Sequence, residues 1–375
     1  LLTDLGTRVR HYALRGGDFV TKAIATILML LVSGSTLVGQ VERPDVRPLP
    51  AVHTHDETTW CSRWFSPDGQ WIWGSSLEVQ HAANGQVVDG DRIKHMFRDG
   101  NDSLMLRDVS SDGQMLIVED CKSHTFRVWD IGSREIRQTL TLREAKPGAV
   151  RYPTVQFVGG DRQFAVWYED PPTLVISDLN TSKEQRVVQL PRAGHHGLFS
   201  PSGQWFAMIV KDKGVVVWDV ATAEERLVLP SGKRPTAIAF DIQERHIATG
   251  GDDNTVRIWD VAAGKRLLSL RGHGRGKILL PPAVYSLTFS PDGGLLASGG
   301  HDGRVILWDT ADGDIEFEAL VASKPLVMNV AFSRDATLLV VDYRDVGNER
   351  GLCIWHCLHG RPRGYMKMHR PSRGD

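Results

Sequence analysis

Residues 290–313 read SPDGGLLASGGHDGRVILWDTADG. Two short apolar runs, LLAS and RVILW, stand between clusters of Gly, Asp and Pro. SPDG and HDG are turn sequences with a mechanism: Asp hydrogen-bonds its own backbone two residues on, and Gly accepts φ > 0. With VYSLTFS before it and IEFEAL after it, the stretch spells four short strands joined by tight turns. Punctuation at intervals of about eight to twelve residues is the signal of an all-β chain.

The third run ends on Trp308-Asp309, and the rest of the chain repeats that ending. TVRIWDVAAGK closes on Trp259-Asp260, VVVWDVATAEE on Trp218-Asp219 and TFRVWDIGSRE on Trp129-Asp130. Weaker copies are LVISDLNTSKE (Ser177-Asp178), LEVQHAANGQ (Val79-Gln80) and LCIWHCLHGR (Trp355-His356). Seven copies follow one another at steps of 50, 48, 41, 41, 49 and 47 residues. A second marker precedes most of them: WFSPDG, DVSSDG, LFSPSG, TFSPDG and AFSRDA, with looser versions QFVGGD and AFDIQE. A period of about 40 to 50 residues marks an array of one supersecondary unit. A four-stranded meander cannot bury both faces alone, so the units must stack on one another.

From about Val46 to Met368 the chain resembles the WD-repeat (WD40) β-propeller family, most specifically in ATGGDDNTVRIWDVAAGK and ASGGHDGRVILWDTADGD. The resemblance implies an all-β, seven-bladed β-propeller of four-stranded antiparallel blades over residues 41–369. It also implies a buried hydrogen-bond chain of His, Ser or Thr, Asp and Trp within a blade. The sixth repeat carries the full set, His273, Ser298, Asp302 and Trp308. The fifth has Thr249, Asp253 and Trp259 but no His in LPSGKRPTA. The fourth has Asp212, Trp218 and a candidate His195, with Met208 in place of Ser or Thr. In this family the outermost strand of the last blade commonly comes from the N-terminus. VRPLPAV (Val46 to Val52) suits that place, because Pro48 and Pro50 alternate and their missing N–H groups fall on the solvent side of an edge strand. RPRGYMKM after Trp355 competes for the same edge, and the N-terminal strand is preferred.

Residues 1–40 read differently. An apolar core, Ala23 to Val32, follows Lys22, Arg15, Arg10 and Arg8. A basic flank before a short apolar run has the shape of a secretory signal peptide, with an uncleaved membrane anchor as the variant reading. A hydrophobic helix ahead of the propeller, and an exported or membrane-anchored protein, are therefore expected; without a working signal the protein would be cytoplasmic. Any contact with a membrane would run through this segment alone. Residues 370–375 read as a disordered tail, and the basic run that leads into it as a solvated terminus.

Composition narrows function. Of 375 residues, 41% are hydrophobic and 24% charged, with a formal charge of −1. That balance argues against a nucleic-acid partner, which a basic excess would announce. Four cysteines, Cys61, Cys121, Cys353 and Cys357, are too few for a disulfide scaffold and read as free or buried. No phosphate-cradling Gly loop and no G-x-S-x-G elbow occurs. The Asp residues sit in turns, and the strands expected to be innermost are mostly apolar or small, which is poor material for a catalytic centre in a channel. Cys353, His356, Cys357 and His359 alternate faces on a strand and have no matching ligand pair, and His195-His196 reads as a packing and network pair, so no metal and no cofactor is expected. One insertion stands out: RGHGRGKILLPPA places Arg271, Arg275 and Lys277 beside Ile278, Leu279 and Leu280, which suits an acidic, partly apolar partner. The reading is a monomeric, non-enzymatic scaffold for a protein or peptide partner; the alternative is an exported enzyme or small-molecule binder using the central channel.

Overall fold

The computed structural model describes residues in segments between 63 and 362: parts of 63–88 and, with short gaps, 104–141, 153–274, 283–321, 326–344 and 350–362. These residues form strands and turns and no helix. Among them stand seven four-stranded antiparallel sheets, each built from consecutive strands. The expected helix and signal or anchor in residues 1–40 and the tail at 370–375 lie outside the described residues.

The sixth sheet shows how the repeat folds. Its strands are Val284–Phe289, Leu295–Gly300, Arg304–Asp309 and Ile315–Leu320. The turn after the first strand is tied by Ser290, whose hydroxyl accepts from Leu295 N (2.9 Å) and donates to Asp292 (2.5 Å). Gly293 closes it with φ +74°, a conformation that costs glycine nothing. Ser110–Asp112 and Ser333–Asp335 repeat the device. The Asp that follows each Trp closes the other turn: Asp309, Asp260 and Asp219 accept from the N–H groups of Ala311, Ala263 and Ala221 at 2.7–2.8 Å. The Asp of the Trp-Asp ending is thus a turn former, while the Trp is a core residue.

Packing explains why one unit cannot stand alone. Most of the buried clusters are shared by two successive sheets. Val158, Trp167 and Leu174 of the third pack with Phe206, Met208 and Trp218 of the fourth. Ala248, Val256 and Ile258 of the fifth pack with Val284, Leu296 and Trp308 of the sixth. The second joins the third, the fourth the fifth, and the sixth the seventh in the same way. Ile72 of the first sheet is buried against Leu338, Val340, Leu352 and Ile354 of the seventh. The succession therefore returns to its start, and the faces a meander leaves open are covered by neighbours. At roughly 1.5–3 kcal/mol per fully buried large apolar side chain, these shared clusters dominate the stabilising side of folding.

The outer edge of the seventh sheet departs from expectation. Arg361–Pro362 pairs with Cys357 and Leu358 there. At these residues the edge is held by the C-terminal segment, while Val46–Val52 lies outside the described residues. A strand that follows its partner after two residues closes a much smaller loop than one brought from the other end of the chain, at lower entropic cost.

Candidate interaction surface

The sixth sheet contains a continuous polar chain inside an apolar environment. Asp302 accepts from His273 Nδ1 (3.0 Å) and from the N–H of Gly274 (2.7 Å). The Ser298 hydroxyl bridges His273 Nε2 and Trp308 Nε1, at 2.8 Å from each. The side chains of His273 and Asp302 are both 1% exposed. Burial pushes the Asp302 carboxyl up, but the hydrogen bond and charge of His273 and the N–H groups of Gly274 and Arg304 outweigh it, so the group sits below the usual carboxylate range. In the fifth sheet Trp259 donates to Thr249 at 2.9 Å, while Asp253 turns outward to pair with Arg257 at 2.6 Å. In the fourth sheet no chain forms: Trp218 Nε1 is buried without a partner, Met208 is fully buried beside it, and Asp212 is exposed at φ +63°. His195, expected to join that chain, is exposed instead.

One end of the sheets carries the exposed chemistry. There each inner strand begins, each second strand ends, and each outer strand ends. Inner strands start with a register shift: between Leu106 and Asp108, His195 and Leu198, Pro235 and Ala237, Val284 and Ser286, and Val327 and Asn329. Such bulges re-aim side chains. Arg107 pairs with the buried Glu119, Thr236 donates to the carbonyl oxygen of Val284, and Tyr285 stacks on His301 with centroids 4.7 Å apart. His195 and His196 lie side by side, both exposed residues, with centroids 5.3 Å apart; burial of the His196 ring holds its pKa below the ordinary histidine value. Arg234 is 84% exposed at the same end.

Of the insertion singled out in the sequence, Arg271 ends the outer strand of the fifth sheet and is exposed. Arg275, Lys277, Ile278, Leu279 and Leu280 lie outside the described residues. Burial pushes the Cys353 and Cys357 thiols up to about 12, so neither is a thiolate near neutral pH. Among the described residues no three His, Cys, Asp or Glu side chains gather as a metal cluster. The bulges at this end carried no sequence signal, since a register shift depends on the partner strand and leaves composition unchanged.

Comparison with known proteins falls on the same repeats. Residues 228–260 and 264–309 match the WD40 family, the WD domain or G-beta repeat. The chain is similar to transcription initiation factor TFIID subunit 5 of Caenorhabditis elegans, 23% identical over 190 residues, which cover 49% of the chain and 27% of the relative. It is 32% identical over 127 residues to eukaryotic translation initiation factor 3 subunit I of Aspergillus oryzae, covering 33% and 35%. To WD repeat-containing protein 55 of Danio rerio it is 32% identical over 92 residues, covering 23% and 24%. The matched stretch thus spans about a quarter to a third of these relatives' own length. These names correct the expectation of an exported or membrane-anchored protein, because transcription and translation initiation are intracellular processes. Among the described residues no helix is long and apolar enough to cross a membrane. The export reading rested on ten apolar residues behind a basic flank, a composition that a segment packed on a domain shares.

Proposed function

Because the chain belongs to the WD-repeat family, we propose that it is a non-enzymatic scaffold, a closed seven-bladed propeller that presents one end of its sheets to a protein or peptide partner. The observation that carries this reading is the contrast between the two kinds of polar residue at that end. His273, Ser298, Asp302 and Trp308 are spent on internal hydrogen bonds, whereas Arg234, Arg271, His195 and His196 stand exposed on the strand ends beside them. A rigid sheet edge with exposed cationic and aromatic groups suits recognition. Relatives named as subunits of TFIID and of eukaryotic translation initiation factor 3 work within larger assemblies, which supports the same role here.

We assign the grip on an acidic, partly apolar partner to Arg271 together with Arg275, Lys277 and Ile278 to Leu280. The chain itself is taken as a monomer that needs no cofactor and binds no nucleic acid. The test is site-specific photo-crosslinking in cells, with the crosslinker placed either at Arg234 or at Gln243, which lies in a turn at the other end of the fifth sheet. Crosslinks to one defined protein from position 234, lost on Arg271→Glu and absent from position 243, are the expected result. Equal labelling from both positions, or catalytic turnover abolished by Arg234→Ala, would overturn the proposal.

A further inference from the structure

We propose that His195 and His196 together form a binding site for a divalent transition-metal ion of the zinc, copper or nickel class. Successive residues of a strand ordinarily point to opposite faces. Here the inner strand His195–Phe199 breaks that rule: its register shifts between His195 and Leu198, and His196 takes φ +52°. The result is two imidazoles on one side, with centroids 5.3 Å apart and planes at 67°. Two imidazoles that ligate one tetrahedral ion through nitrogens at about 2.0–2.1 Å have their centroids roughly 5 Å apart. The pair is already at that separation.

The neighbouring glycines hold the backbone in place. A Cβ on Gly194 would meet the Ile209 carbonyl oxygen at 2.4 Å, and one on Gly197 would meet Phe206 Cζ at 2.4 Å. The main chain is thus pressed against the second strand, and both histidines are exposed residues. Among the described residues neither ring makes a hydrogen bond or ion pair; each touches the other. The bulge residues of other sheets differ. Arg107 is engaged by Glu119, Thr236 by the Val284 carbonyl oxygen and Tyr285 by the His301 ring. Imidazole nitrogens suit zinc, copper and nickel, and with two protein ligands the remaining coordination positions stay open to water or to an incoming side chain.

The experiment uses the full chain, freed of metal by a chelator and titrated with Cu²⁺ under electron paramagnetic resonance, with Zn²⁺ as competitor. One Cu²⁺ per chain is expected, with splitting from two imidazole nitrogens and displacement by Zn²⁺. His195→Ala and His196→Asn should each weaken binding at least tenfold while leaving the circular dichroism spectrum and the unfolding midpoint unchanged. Asn is chosen because it tolerates positive φ; should that variant unfold, His196→Gly removes the ring with no backbone cost at φ +52°. Absence of stoichiometric binding would overturn the proposal. So would one equivalent retained by the double variant, which would place the ion on other histidines of the chain.

Discussion

Ser298 holds two buried groups at once, since its hydroxyl accepts from Trp308 and meets His273 Nε2. Thr249 holds one, the indole N–H of Trp259. Leaving a buried polar group unsatisfied costs about 1–3 kcal/mol. Ser298→Ala should therefore destabilise by about 2–4 kcal/mol, and Thr249→Val, which keeps the branched shape, by about 1–2 kcal/mol. Urea midpoints at constant m-value check both the sizes and the order. Asp302 sets a pH dependence whose sign follows from its depressed pKa. Its contribution is fully present above the unfolded carboxylate value of about 3.9 and is lost as pH falls through the lower folded value. Unfolding free energy measured from pH 6 to pH 2 should fall along that window, and Asp302→Asn should flatten the slope. Spacing alone did not single out this polar chain; the resemblance to the WD-repeat family implied its members, His273, Ser298, Asp302 and Trp308. His195 was misplaced for a physical reason: a bulge and a positive φ carry it outward, and neither can be read from AGHHG.

Between sheets, a close contact forms where the second strand of one meets the inner strand of the next. Gly250 faces Val284, and Gly299 faces Val327; a Cβ on Gly299 would lie 2.4 Å from Val327 Cγ1. The third and fourth sheets reverse the sizes, with Trp167 in the second strand and Gly197 in the next inner strand. One side of each seam is small so that the other can be large. Gly299→Ala should cost about 1–3 kcal/mol through overpacking. Adding Val327→Ala should recover part of that, so a double-mutant cycle should show coupling of about 1 kcal/mol; additivity would mean that the seam is not what selects glycine. Nothing in ATGG or ASGG names the residue of the next sheet that each glycine faces. Size complementarity between sheets leaves no local pattern, which is why the repeat was readable and its seams were not.

Across the molecule, the fifth and sixth sheets are built throughout of strands six residues long. Their second strands, paired on both sides, should exchange their amide hydrogens only with global unfolding, which native-state hydrogen exchange checks. Arg334 of the seventh sheet donates to the Ser111 carbonyl oxygen in the second at 2.6 Å, so the sheets on either side of the first are tied to each other directly. Arg334→Ala should speed exchange in the first sheet without shifting that of the sixth.

Two buried indoles give the molecule a built-in optical contrast. Trp167 and Trp218 sit in one apolar cluster and meet no acceptor among the described residues, while Trp259 and Trp308 donate to hydroxyls. An indole with neither solvent nor acceptor emits further to the blue than one that is hydrogen-bonded. The short-wavelength edge of the emission band therefore reports the third and fourth sheets. Ligand or denaturant acting on one half of the structure before the other would appear as a change in band shape, with no label attached.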